Sequence, residues 1–345
     1  MLPRIAAEIA EHGGWIPFAR FMELALQAYY GGPAAKFGAP GDFVTAPELG
    51  NLFGRTLARQ FCELEPHSVL EFGAGTGALA ETLLGDLDCE YLILETSPSL
   101  RERQRLRLGD RARWIERLPE RFRGVVIANE VVDAMPVNVL RWSSESIKER
   151  GVTLDRGQLA WIERPAAGEV LSAAQSIHVT PPYLSEINLA ARAWMRSLAS
   201  TLEQGAIFII DYGFAGPEYY HPQRSGGTLM SHHRHCSHDD VLARPGEQDI
   251  TAHVDFSALA RAAEEGGLEV LGYATLAQFL VNCGITDVLG EANVENALHY
   301  APLASQAQRL LSPAEMGELF KVLALGRGAS APLRAFARGD RSHTL

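Results

Sequence analysis

The chain has 345 residues, 47% hydrophobic and 21% charged, with a formal net charge of −11. That length buries a large core, as one big domain with insertions or as two smaller ones. The acidic balance disfavours nucleic-acid phosphates and suits a cationic substrate.

Ile5 to Glu11 reads as an amphipathic helix, stopped by Gly13-Gly14. Pro17 opens a second helix running to Tyr30. A glycine-rich loop follows to Gly41, closed by Asp42-Phe-Val-Thr-Ala-Pro-Glu48. Thr45 is placed to cap a third helix, with Pro47 and Glu48 in its first turn. The same stretch reads as a lid, with Asp42 and Thr45 covering a site.

Ser68 to Ala80 carries the organising pattern: a short buried strand from Val69 to Phe72, a turn holding Gly73, Gly75 and Gly77, and the start of a helix. Such a turn lets the backbone approach a ligand, and the helix N-terminus favours an anionic group there. The spacing fits two cofactors. Gly73-x-Gly75-x-x-Ala78 fits a dinucleotide fingerprint, as in an NAD-dependent dehydrogenase. Glu71-x-Gly73-x-Gly75-x-Gly77 fits an S-adenosylmethionine site. A second strand, Glu90 to Glu95, ends in a carboxylate beside the turn, where it can accept both ribose hydroxyls. Its plainer role is to cap the helix that begins at Pro98-Ser99.

Nine arginines between Arg101 and Arg123 are interrupted by four acids and read as the solvated face of a helix plus a short strand, Arg113 to Ile115. Glu116, just past that strand, is placed to border an adenine. Gly124 to Asn129 is a fourth, continuously apolar strand. It runs into Asn129-Glu130-Val-Val-Asp133-Ala-Met-Pro136, a polar cluster where open α/β sheets place their chemistry. Residues 137–162 form an antiparallel meander, and Pro182 to Leu202 a long helix. Ala206 to Asp211 is a fifth core strand. Residues 228–253 hold His232, His233, His235, Cys236, His238, Asp249 and His253; their spacing matches no zinc site, so they read as polar lining of a cleft. Asp255 caps a helix from Phe256 to Glu265 and a sixth strand spans Leu268 to Leu271. Helices follow over 276–283 and 293–311, and a last strand spans Phe320 to Leu325. The expected division is 1–66, a helical cap and lid; 67–275 with 313–329, a core carrying insertions 137–180 and 213–253; 276–312, a helical insertion; and 330–345, a loose tail.

Cys62, Cys89, Cys236 and Cys283 lack C-x-x-C spacing and read as reduced, mostly buried thiols of a cytoplasmic protein. No apolar run reaches the length of a membrane span, and the first residues hold no signal-peptide core.

Six segments together resemble a known family: residues 41–48, Glu71 to Gly77, Glu95-Thr-Ser-Pro98, Asn129 to Pro136, Ile210-Asp-Tyr-Gly213 and Asp249 to Phe256. The chain resembles the MidA-like S-adenosylmethionine-dependent methyltransferases over about residues 10 to 325. That family includes a mitochondrial complex I assembly factor that methylates an arginine on a complex I core subunit. The resemblance implies an α/β fold with a seven-stranded, Rossmann-like sheet. It implies S-adenosylmethionine held by Asp42, Thr45, Glu71, Gly73, Gly75, Gly77, Glu95, Ser97, Glu116 and Asn129, with no metal. Glu130 and Asp133, with Asp211 third, become the carboxylates that grip a guanidinium on a protein partner; a homo-oligomer is compatible with this. A small-molecule methyltransferase and a non-catalytic assembly factor remain as alternatives.

Overall fold

The computed structural model describes residues 1–32, 45–233, 236–293, 295–329 and 332–345. Seven strands form the main path of the central sheet: β1 Ser68–Phe72, β2 Glu90–Leu94, β3 Arg113–Ile115, β4 Phe122–Asn129, β5 Leu202–Phe214, β6 Glu269–Thr275 and β7 Phe320–Arg327. Their spatial order is β3-β2-β1-β4-β5-β7-β6. Strands β1 to β5 pair in parallel, whereas β7 is antiparallel to both its neighbours. A two-residue strand, Val254–Asp255, adds to the end of β5. The order reverses between β1 and β4, so the C-terminal tips of these strands flank the crevice where such sheets bind ligands.

β5 shows why the sheet is doubly covered. Phe208 and Ile210 pack on one face with Phe61 and Phe279, while Ile207 and Ile209 pack on the other with Leu198, Phe256 and Leu259. Alternation along an apolar strand demands helices on both sides. Each such side chain contributes about 1.5–3 kcal/mol when fully buried. Helices Leu52–Cys62 and Ala78–Asp86 cover the first face; Leu189–Thr201 and Phe256–Glu265 cover the second.

A smaller antiparallel sheet is built from Ile16–Pro17, Asn138–Trp142, Ile147–Asp155, Gln158–Pro165 and Tyr183–Ile187. A three-stranded sheet, Met230–His233, Cys236–His238 and Asp249–Thr251, makes up much of the histidine-bearing insertion. The N-terminal helices Leu2–Glu11 and Phe18–Gly31 join the two through one apolar cluster, in which Phe18, Phe21 and Met22 meet Val139, Val152 and Ile250.

Several expectations are corrected. Residues 183–187 are a strand rather than the start of the long helix, because they pair antiparallel with Asn138–Trp142; the helix begins at Leu189. The helical insertion holds an extra helix, Ile285–Gly290. Thr45 precedes a 3-10 turn, Ala46–Leu49, and accepts no capping bond; the α-helix starts only at Leu52, after Gly50 at φ +144°. The expected loose tail is packed over residues 332–345. Leu333, Ala335 and Phe336 are buried, Gln60 accepts from the Ala335 N–H at 2.8 Å, and the Arg341 N–H donates to Tyr273 O at 2.6 Å. Cys62 and Cys236 are exposed rather than buried.

Candidate active site

One cavity of about 680 Å³ opens at the tips of β1, β2 and β4. Its first wall is the glycine turn. Gly73, Gly75 and Gly77 all lie in the left-handed region, at φ +58°, +54° and +82°. That conformation is strained for any residue with a Cβ. A Cβ on Gly73 would also lie 3.1 Å from Val131 Cγ2. The Gly73 N–H donates to Leu94 O at 3.1 Å, tying the turn to the tip of β2.

Glu95 follows that tip. Its Oε1 accepts from the Ser97 N–H at 2.9 Å and its Oε2 from Gln104 Nε2 at 3.0 Å. Burial pushes its pKa up, and these two bonds oppose the shift. A carboxylate has about four acceptor positions, so Glu95 retains capacity for a vicinal diol. Gln104 also donates to Gly75 O at 2.9 Å, and its own Oε1 accepts from Trp114 Nε1 at 2.9 Å. The sequence reading missed Gln104, which braces the turn against the acid. Its signal was available: a polar residue on the inner face of the arginine-rich helix Pro98–Leu108, fully buried. Glu71 lies beneath the turn, accepting from the Tyr91 hydroxyl at 2.8 Å. Burial raises its pKa to about 8, against the lowering by Tyr91.

The second wall carries acids. Glu130 and Asp133 line the cavity together with Asp249 from the insertion. Glu130 Oε1 accepts from the Ala46 N–H at 3.3 Å and from Asn129 Nδ2 at 3.2 Å. Burial, then the charge of Asp211, raises Glu130 to about 8. Asp133 is pushed well up by burial and by Asp211, Asp249 and Glu130. Asp249 accepts from the Tyr30 hydroxyl at 3.1 Å, which ties the N-terminal helix to this wall. Tyr212 and His253 stack within the lining, with ring centroids 6.4 Å apart and planes 12° apart. Burial, with Arg224 and Lys321 nearby, depresses His253 to about 4, so its ring is neutral at pH 7.

Residues 51–274 match the family described as "Putative S-adenosyl-L-methionine-dependent methyltransferase". The chain belongs to this methyltransferase family. A solved methyltransferase homologue from Burkholderia thailandensis, with S-adenosyl-homocysteine bound, is 48% identical and superposes with a TM-score of 0.96 over 100% of this chain and 96% of that one. Among curated relatives, the mitochondrial protein arginine methyltransferase NDUFAF7 homolog of Drosophila melanogaster is 29% identical, covering 92% of this chain and 83% of its own. The Homo sapiens protein arginine methyltransferase NDUFAF7, also mitochondrial, is 27% identical over 84% of this chain and 74% of its own.

This methyltransferase therefore uses S-adenosylmethionine, and its sheet is the seven-stranded methyltransferase sheet expected from the sequence. The residues present fit that cofactor. The turn is open to a close-lying ligand, Glu95 has acceptor capacity for a ribose, and Asn129 Oδ1 is buried at the β4 tip without a partner. The expected cytoplasmic location is overturned, since the curated relatives are mitochondrial proteins. Reduced thiols were the ground for it, and they are equally at home in other reducing compartments.

The proposed site residues divide. Thr45, Glu71, Gly73, Gly75, Glu95, Asn129, Glu130 and Asp133 line the cavity. Asp42 lies outside the described residues. Gly77 is outside the lining and serves as the left-handed N-cap of helix Ala78–Asp86. Ser97 caps helix Pro98–Leu108 and donates to Tyr30 O at 2.6 Å. Glu116 points to solvent, 3.5 Å from Arg101. Asp211 lies beneath the second wall and does not reach the cavity. Of the histidines, His232 and His253 line the cavity, His233 bonds Glu247 O at 2.9 Å, and His235 is outside the described residues.

Proposed function

We propose that this methyltransferase acts on the guanidinium of an arginine in a protein, with Glu130 and Asp133 as the carboxylates that receive it. One observation carries the reading. A half-buried acid, Glu130, and a buried one, Asp133, share the cavity of the glycine turn, and among the described residues neither forms a salt bridge with a Lys or Arg. Burying carboxylates together is costly without a cation. Arg224 lines the same cavity, but its guanidinium lies 3.7 Å from the Phe214 ring centroid and 3.6 Å from Glu218. The names of the curated relatives support an arginine acceptor, and the complex I subunit implied by the family resemblance is the first candidate substrate.

Bound S-adenosylmethionine supplies an electrophilic methyl group on a cationic sulfur, which becomes a neutral thioether on transfer. The protein's task is alignment, with the acceptor nitrogen about 3 Å from the methyl and in line. Glu71, Gly73, Gly75 and Asn129 would hold the cofactor's methionine end, Glu95 its ribose, and Thr45 would cover it. Glu130 and Asp133 would take two N–H edges of the planar guanidinium and leave its third nitrogen aimed at the methyl. Burial and nearby negative charge push both acids towards the protonated form, so a cation entering draws them towards the ionised form and releases protons. After transfer, one of these carboxylates holds the proton lost from the methylated nitrogen.

The test incubates the enzyme with labelled S-adenosylmethionine and an extract from cells lacking it, then identifies labelled products by mass spectrometry. Labelled arginine in a protein supports the reading. Label on a metabolite or on another amino acid removes it.

A further inference from the structure

Asp211 was expected to touch the acceptor, but it is fully buried and outside the cavity lining. Its Oδ2 accepts three consecutive backbone N–H groups, from Val131 at 3.2 Å, Val132 at 2.9 Å and Asp133 at 3.2 Å. Its Oδ1 accepts the Tyr212 N–H at 2.9 Å. The preceding residue completes the clasp, since Ile210 O accepts the Glu130 N–H at 2.9 Å. Two adjacent residues at the end of β5 therefore fix residues 130 to 133 in one piece.

The turn needs this grip. Glu130 sits at φ +55°, a strained conformation for a residue with a side chain, costing on the order of 1–3 kcal/mol. The conformation also puts the Glu130 and Asp133 side chains on the cavity while Val132 packs into the core. Four N–H donors converge on one side chain, and only an ionised carboxylate offers acceptors alone. An asparagine would set its own NH2 against some of those donors.

We propose that Asp211 is the positioning residue of the acceptor site: its buried carboxylate shapes the turn that presents Glu130 and Asp133 and, when ionised, places a negative charge behind them. The proposal rests on the reading that these two acids face the acceptor, not on the acceptor being arginine. The charge has its own consequence. Asp211 has a pKa of about 7, raised by burial and held back by its four N–H bonds. On this proposal it ionises before its two neighbours, and its charge is among the causes that push Glu130 and Asp133 towards the protonated form. A residue that merely filled space would have no such effect on their titration.

The experiment compares wild type with Asp211→Asn, using whichever acceptor the extract assay labels. The expected result is S-adenosyl-homocysteine affinity within about threefold of wild type and a fall in kcat/KM of about 100-fold. The acid limb of the pH profile should move to lower pH, because the neighbouring acids lose an opposing charge. Full activity, or lost activity with the acid limb unmoved, overturns the proposal. Should Asp211→Asn fail to fold, carboxyl 13C NMR of the wild-type enzyme carries the test, with signals assigned through Glu130→Gln and Asp133→Asn. Asp211 titrating below both neighbours supports the proposal, and Asp211 titrating last overturns it. If the labelled acceptor is not arginine but the limb still moves, the arginine reading fails and this one stands.

Discussion

The two halves of the cavity are assembled differently. The half proposed to face the cofactor comes from neighbouring parallel strands, β1 and β2, with a brace from the helix after β2. Its polar groups lie close together in sequence, and much of its shape is backbone. The half proposed to face the acceptor draws Tyr30 from the N-terminal helix Phe18–Gly31, Glu130 and Asp133 from the β4 turn, Tyr212 from β5, and Thr228, Asp249 and His253 from the insertion. A buried carboxylate roots its far wall too. Glu186, on the small antiparallel sheet, accepts from the Thr228 N–H at 3.0 Å, and Thr228 Oγ1 in turn accepts the His253 N–H at 3.0 Å. The cofactor half is thus a local device and the acceptor half a tertiary one. On this division, substitutions in the insertion should change acceptor preference and leave cofactor binding alone.

The sharpest way to break this division is Glu130→Gln. Turnover should fall by about 100-fold or more, while calorimetry should show S-adenosyl-homocysteine bound nearly as before. Equal losses in both would mean that the halves are not separate. Next in size, Glu95→Ala should weaken S-adenosyl-homocysteine binding by about 1.5–3 kcal/mol, since it removes charged hydrogen-bond acceptors, and should leave acceptor KM unchanged.

Glu71 gives a pH test of the cofactor half. With its pKa raised to about 8, it is mostly protonated at neutral pH, and a cationic cofactor favours its ionised form. Affinity for S-adenosylmethionine should therefore increase by up to about tenfold per unit as pH rises towards 8, then level off, and Glu71→Gln should flatten that slope. The sign is opposite for the ligand-free fold. Its folded-state pKa lies above the ordinary 4.5, so the stability from Glu71 is present below that value and is lost as pH rises through about 8. Thermal melts of both proteins across this range check it. The smallest effect belongs to Gln104→Ala, which should cost S-adenosyl-homocysteine binding about 0.5–1.5 kcal/mol by freeing Glu95 and the turn, with acceptor kinetics unaffected.

Much of the sheet was legible because its strands are continuous apolar runs with glycine punctuation; β3 was read to the residue. The place of Glu95 and Glu130 on the cavity was legible for a related reason, since each ends or follows a strand whose neighbours were already placed. Where the reading went wrong, distant partners decided the outcome. Residues 183–187 have enough apolar character for a helix, and only pairing with Asn138–Trp142 makes them a strand. Phe336 and Leu333 sit in a polar-looking tail, and their burial depends on the helical insertion they pack against. Asp211 and Ser97 looked like ligands because they adjoin the right motifs. Both turned out to spend their oxygens on the backbone, which spacing alone could not reveal.

β7 gives the architecture a timetable. It lies between β5 and β6 and pairs with both, yet it is the last strand in the chain. Until Phe320–Arg327 leaves the ribosome, β6 has no lateral partner in the sheet and one flank of β5 is left waiting. The residues proposed to contact cofactor and acceptor have by then all been synthesised, but they rest on an unfinished support. A message cut short before codon 320 would yield every site residue and no enzyme.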